Sequence, residues 1–544
     1  MTRPDALSKN EPLFWSTGSG TDVWAMFCAA KNGDLETIKS LLQKDASLVR
    51  GEFEYRTPMA FAVQENQLEA AAYLLAHKAS PVKSGTDDTL IQIARDRGYG
   101  QMQQLLESAM AQEKGSWQGN EIADAIRHRN LERVEHLLNV SEDYLHARDD
   151  SGNQPIHWAV MSRQPDMISL LLSKGADIHA QRPDGARPIQ LTNGDYAYRG
   201  WRDVPEDAVK PHEIYKILLA HGAYLDICMA SLKGDEVRVR ELLNDDPSLA
   251  NRVSDYVSYY PGSGAPLKNA AMAGHINIVK LLLDNGADPN LPEEGIAPKG
   301  HALHSAVVCG HHEIVKLLLD HGAYPNVPIE SSADTLSAAI NREDKAMVEL
   351  LCSYGAAREI HLLAYYGDIQ TAAAVFAANP EKANDPEALE NAASEGNDSF
   401  VRLMLRYEPE LPKRIAVGVK SSGPDEPTKS RELSELLFQH GMNPNYTNWL
   451  NVRPMHRFAK RGDLDNAAIF ISHGAEINVV DDELCSTPLG WAAKHGKTEM
   501  VRFLLENGAD PNLPIDKTWA QPISWAKSRG HHEIVSVLEA KRFV

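Results

Sequence analysis

The stretch APLKNAAMAGHINIVKLLLDNGADPN, residues 265–290, returns with substitutions as HALHSAVVCGHHEIVKLLLDHGAYPN at 301–326 and as TPLGWAAKHGKTEMVRFLLENGADPN at 487–512, and the three align without a gap. Self-similarity of this length means a stack of like units rather than one core. Each copy carries the same local instructions. Thr487 followed by Pro488 reads as an N-cap and a first helical position, where proline gives up only an N–H that would be unpaired anyway. Paired alanines (Ala270 and Ala271, Ala492 and Ala493) keep one face of this short helix small enough for close approach by a neighbour. Gly274, Gly310 and Gly496 end it at a position that favours left-handed dihedrals. A second helix follows a tight turn. In INIVKLLLDNG, Ile276, Ile278, Val279, Leu281, Leu282 and Leu283 spread over more surface than one partner helix can cover, so neighbouring units must close over it.

This pattern resembles the ankyrin repeat family, whose unit is a helix-turn-helix followed by a finger-like loop, with TPLH-x-A and GADxN as hallmarks. In the same register weaker copies open at Cys28, Arg56, Asn120, Gln154, Cys228, Asp334, Ile360, Glu390, Arg453 and Gln521, and the most degenerate at Asp88, Arg187 and Ile415. Roughly sixteen units then cover residues 22 to 540. The resemblance implies an all-α, right-handed solenoid, elongated and curved, with a radius of gyration well above the roughly 24 Å of a compact chain this long. Its expected divisions are an N-terminal extension (1–21), N-terminal repeats with an insertion at 192–209 (22–252), central strong repeats with long fingers (253–357) and C-terminal repeats (358–544).

Composition narrows the function. The 544 residues carry 55 Lys plus Arg against 75 Asp plus Glu, a formal charge of −20 that repels phosphate backbones and anionic lipid, so neither nucleic acid nor membrane is an expected partner. Five cysteines (Cys28, Cys228, Cys309, Cys352, Cys485) are odd in number and never form C-x-x-C, which fits a reducing, cytoplasmic location better than a disulfide framework. No signal-peptide h-region and no run of eighteen apolar residues is present.

The copy at 301–326 packs His301, His304, His311, His312, His321 and Cys309 close together. By the resemblance, His304 is the histidine of TPLH and His311 that of the Gly-His preceding the second helix, both hydrogen-bonded scaffold. His312 should face solvent, and His321 complements the end of the helix dipole. Converging three of these side chains on zinc is not expected of such spacing, so no metal and no cofactor is assigned. His301 stands where the family has threonine and remains a candidate functional residue.

A solenoid's ligand surface is its concave face, made of fingers and first helices. The position after the family histidine varies most (Phe61, Trp158, Met229, Asn269, Ser305, Leu362, Arg457, Trp491, Trp525), and its three tryptophans either line a partner groove or pack on the adjacent finger. Three consecutive loops are lengthened: 192–209, 253–264 and 293–301. They carry Tyr196, Tyr198, Arg199, Trp201, Arg202, Asp255, Tyr256, Tyr259, Tyr260, Lys299 and His301, a mixture suited to recognition. A fourth insertion, 421–430, is polar and reads as a solvated loop. No catalytic motif occurs. The expected role is therefore binding of a partner protein or peptide through the concave groove and long fingers. The alternative is a small-molecule pocket, with Asp255, Tyr259, Tyr260, Lys299 and His301 as candidate acid–base residues.

Overall fold

The computed structural model describes residues 1–13, 16–113, 116–192, 194, 204–256, 260–293, 297, 300–327, 329, 334–420 and 427–542. Their helices fall into sixteen successive units, from the pair Gly20–Asn32 and Leu35–Lys44 to the pair Pro522–Ser528 and His532–Arg542. First helices pack on first helices of the next unit and second helices on second helices. The small alanines of the first helices let neighbouring units approach closely along that side.

The hallmark residues each close a specific bond. Thr487 caps Pro488–Lys494 by accepting from the Gly490 N–H, and Gly274 ends Pro266–Ala273 at φ 80°. In several units the residue heading the second helix reaches back to the previous unit: His275 to the Leu232 carbonyl (3.1 Å), His311 to Met272 (3.2 Å), Gln164 to Ile126 (2.7 Å) and Asn397 to Ala364 (2.7 Å). The asparagine of GADxN works forward. Asn290 donates to the Gly322 carbonyl at 2.8 Å and accepts from the Tyr324 N–H at 2.8 Å, and Asn478 does the same with Gly508 and Asp510. These bonds satisfy backbone groups that the finger would otherwise bury unpaired.

Two units depart from the pair. At Arg187 the first helix shrinks to a 3-10 turn, Pro188–Leu191, before the insertion. At Ile415 the segment 415–420 runs without helix, and Asn466 of the next unit clamps it, accepting from the Val419 N–H (3.1 Å) and donating to its carbonyl (3.0 Å).

The expectation of an open, elongated array is corrected, because the two ends of the stack meet. Buried residues 7–106 and 360–538 form one continuous core, while 122–356 form another. The Met1 ammonium pairs with Asp482 at 2.8 Å. Trp449, in the finger before Pro454–Arg461, stacks on Phe27 (6.2 Å), meets Phe53 and Phe61 edge-on and donates to Glu54 at 2.8 Å. Arg56 pairs with Glu483 at 2.8 Å, and the Arg97 guanidinium lies 4.5 Å over Trp519. The repeat register accounts for each residue within its own unit and says nothing of a partner hundreds of positions away, so reading by register passes over these contacts.

Candidate functional site: the long fingers and the inner face

Four units carry the family histidine (His157, His304, His361 and His456), and comparing the three that are buried isolates what is unusual at His301. His157 Nδ1 accepts from the Gln154 N–H (2.9 Å), which fixes the tautomer so that Nε2–H donates to the Ala180 carbonyl (2.9 Å). His456 repeats this with Arg453 (3.1 Å) and Val479 (3.2 Å). Both cap residues are extended, with ψ of 163° and 164°. His301 instead caps Ala302–Cys309 at φ −126° and ψ −10°, which turns its N–H away. His304 Nδ1 is consequently buried with no hydrogen-bond partner among the described residues, and the expectation of a fully bonded scaffold histidine is corrected there. Its ring lies 5.9 Å from that of His301. Burial, reinforced by His301, lowers the His304 pKa to about 4.

His301 Nδ1 lies 3.6 Å from Glu293 Oε2 and makes no hydrogen bond among the described residues. Glu293 is itself buried, accepts from the Ala265 N–H at 3.2 Å and exchanges two backbone bonds with Ala297, which pins the base of the third long loop to that of the second. Lys268 completes this cluster. It is buried, donates to the Ser263 carbonyl at 3.2 Å, and has its pKa lowered chiefly by desolvation while Glu293 acts in the opposite sense. Neither Glu293 nor Lys268 carries a motif signal that sequence reading could have used.

The other candidates are placed as follows. Trp158 is buried and donates to buried Asp149 at 2.6 Å, and Trp491 donates to buried Asp481 at 2.8 Å, each pinning the finger that precedes its own helix. Trp525 is buried against Trp519, with Lys494 and Arg529 over its ring. The three tryptophans therefore face their own chain, and an open aromatic groove is not formed at this position. Asn269 is fully buried, its amide donating to the Ser263 and Ala265 carbonyls at 2.9 Å. Tyr256 closes its own loop on the Gly262 carbonyl (2.8 Å), with burial pushing the phenol far up. Tyr260 donates to Asp184 at 2.5 Å, tying the second long loop to the finger two units earlier. Asp255 is exposed and pairs with Arg252 at 2.6 Å. Tyr196, Tyr198, Arg199, Trp201, Arg202, Tyr259 and Lys299 lie outside the described residues. Asp255, Tyr260 and His301 each lie against a different group, Arg252, Asp184 and Glu293 respectively. The cleft beside His304, lined by Pro289, Asn290, Gly300, Leu303, Tyr324, Val327 and Thr335, has no room for a water. No group of three His, Cys, Asp or Glu side chains able to hold a metal ion occurs among the described residues.

What stays open is the inner face of the central units. Val308, Ile340, Tyr365 and Tyr366, at the C-terminal ends of three successive first helices, are exposed large apolar side chains.

Comparison with known proteins follows this geometry. A family model described as ankyrin repeats (3 copies) matches residues 13–85, 90–182, 227–329, 267–360 and 428–515. Protein phosphatase 1 regulatory subunit 27 of Homo sapiens is 38% identical over 73 residues, 13% of this chain and 47% of that protein. Inversin of Canis lupus familiaris is 24% identical over 193 residues (34% and 17%), and 2-5A-dependent ribonuclease of Mus musculus 37% over 65 residues (12% and 9%). The chain thus matches less than half the length of each of these relatives. No helix among the described residues is long and apolar enough to cross a membrane.

Proposed function

Because this chain belongs to the ankyrin repeat family, we propose that it is a non-catalytic interaction protein that holds a partner protein or peptide on the inner face of its central units, flanked by the insertion at 192–209 and the long fingers at 253–264 and 293–301. One observation carries this reading. The inner faces of the first and last units are covered by each other, whereas Val308, Ile340, Tyr365 and Tyr366 remain bare in the middle. Exposed apolar side chains grouped on a concave surface mark an interaction site more often than scattered ones do. The family's general role in protein association, and a similar relative whose name makes it a phosphatase regulatory subunit, point the same way. Trp158 and Asn269 are left out of the binding surface because they are buried.

A photo-crosslinking residue placed at position 308 or 365 of the intact protein tests the proposal, with position 237, exposed on a second helix, as control. The expected result is one recurrent crosslinked protein from 308 and 365 that is absent from 237. Identical products from all three positions would overturn it.

A further inference from the structure

The contact between the chain's ends has two halves of different chemistry. One is the aromatic plug of Trp449 with Phe27, Phe53 and Phe61. The other is ionic, and beyond the Met1–Asp482 and Arg56–Glu483 pairs it lies between the third unit and the last three. Lys460, Lys494 and Arg529 stand within one residue of the same register position, next to the glycine that ends the first helix, in three consecutive units, with His495 beside Lys494. They form a cationic row in a chain of net charge −20. Facing them are three carboxylates. Asp87 meets Lys460 at 2.5 Å and His495 at 3.4 Å, Asp88 meets Lys494 at 2.9 Å and Arg529 at 3.0 Å, and Asp96 meets Arg529 at 2.7 Å.

The acidic finger is built as an insert. Ser84 and Thr86 fold it onto itself: the Thr86 N–H donates to Ser84 Oγ (3.1 Å), the Asp88 N–H to Thr86 Oγ1 (3.1 Å), and Thr86 Oγ1 donates to the Asp88 carbonyl (3.0 Å). A narrow cavity of about 10 Å³, lined in part by Gln64, Asp88, Asp96, Arg97, Glu483 and Trp525, lies at this contact and is large enough for one water. The Asp87–Lys460 pair is exposed on both sides, at 57% and 40% of side-chain area. Solvent and salt therefore reach the outer Asp87–Lys460 pair of the ionic half, whereas Lys494–Asp88 (5% and 13% exposed) and Arg529–Asp96 (19% and 5%) lie deeper behind it. The Lys460 ammonium holds the Asp87 carboxyl below its ordinary range.

We propose that the basic face of the last three units is a receptor for an acidic peptide segment of a partner, and that the finger bearing Asp87 and Asp88, with Asp96, is its resident intramolecular occupant. Any segment that sets two or three carboxylates at the spacing of Asp87, Asp88 and Asp96 competes for Lys460, Lys494 and Arg529. The aromatic plug keeps the two ends together while the finger exchanges. This surface lies on different units from the central apolar stripe, so either assignment can fail alone.

The test uses the full chain and a fluorescein-labelled peptide of its own residues 82–98, VKSGTDDTLIQIARDRG. In the variant Asp87→Asn/Asp88→Asn/Asp96→Asn the receptor is vacated, and anisotropy should show the peptide bound at least about tenfold tighter than by the wild type. Binding should vanish at about 0.5 M NaCl, on adding Lys494→Glu and Arg529→Glu, and for a peptide with its aspartates changed to asparagine. No gain in a variant of unchanged circular dichroism overturns the proposal. Should that variant lose helix, hydrogen exchange on the wild type with excess peptide decides. Amides 84–96 must exchange faster while those of 53–56 do not, and unchanged protection overturns the proposal equally.

Discussion

The imidazole of His311 lies over Gly274 of the preceding unit, so that a Cβ added to Gly274 would stand 2.7 Å from the ring's Cε1. The same ring holds the Met272 carbonyl at 3.2 Å. Glycine and histidine are thus one joint between units. Gly274→Ala imposes both a positive φ on an L-residue and a clash with the ring, and should cost about 2 kcal/mol or more. Gly286 has φ 81° and nothing within 4 Å of an added Cβ, so Gly286→Ala isolates the backbone part at about 1 kcal/mol. Hydrogen exchange in helices Pro266–Ala273 and Ile276–Asp284 reads the difference, and equal losses would mean the ring yields freely.

His157 supplies the pH dependence. Burial lowers its folded pKa from 6.5 to about 4, so between those values the unfolded chain binds more protons and stability rises with pH. The contribution is complete above about pH 6.5 and lost on descending toward about 4, at most roughly 3 kcal/mol. His157→Gln should be less stable than wild type at pH 7, with the gap narrowing through this window in urea titrations. A gap of constant size would place the acid sensitivity elsewhere.

Trp158→Phe keeps a buried aromatic ring and deletes the N–H held by Asp149 together with part of the indole. The buried carboxyl of Asp149 is left without its donor and some packing is lost, so a destabilisation of about 1–3 kcal/mol is expected, and Trp491→Phe should match it at Asp481. Thermal unfolding measures this. Partner crosslinking from positions 308 and 365 should be unchanged in both variants, since neither indole faces outward.

Trp449→Ala empties the aromatic plug. Truncating so large a buried ring should cost about 3–5 kcal/mol, localised to the meeting of the ends rather than to any unit. Small-angle scattering should show a larger radius of gyration at unchanged helix content. An unchanged radius would mean the ionic contacts suffice to hold the ends together.

The repeat architecture was legible because each of its signals acts over one or two units. Thr-Pro caps, the terminating glycine, the Asn of GADxN and the His of Gly-His all bond within about forty residues of themselves, and their period exposes them. The closure was not, because Trp449, Glu483, Asp87 and Arg529 find partners across the whole sequence and no periodicity ties one to another. At the fingers, sequence marked His301 as out of place but could not show why. The answer is a backbone angle that leaves His304 without its cap, and no side-chain pattern encodes that. Sequence left the three tryptophans between lining a groove and packing on the adjacent finger, and for Trp158 and Trp491 the deciding groups were equally silent. Their partners Asp149 and Asp481 belong to the preceding finger, where an aspartate looks like any solvated loop residue.

Trp449 meets Glu54 across 395 positions of sequence. A ribosome adding about 5–20 residues per second takes roughly 20 to 80 s to cover that distance. Throughout that interval the first two units are already translated, and their Phe27, Phe53 and Phe61 lack the indole that covers them in the finished molecule. The nascent chain therefore carries an aromatic patch of the kind chaperones bind, and sheds it only near the end of synthesis. A message broken anywhere before codon 449 yields a product that can stack its units in order yet never hides that patch, which makes truncated chains the aggregation-prone species of this protein.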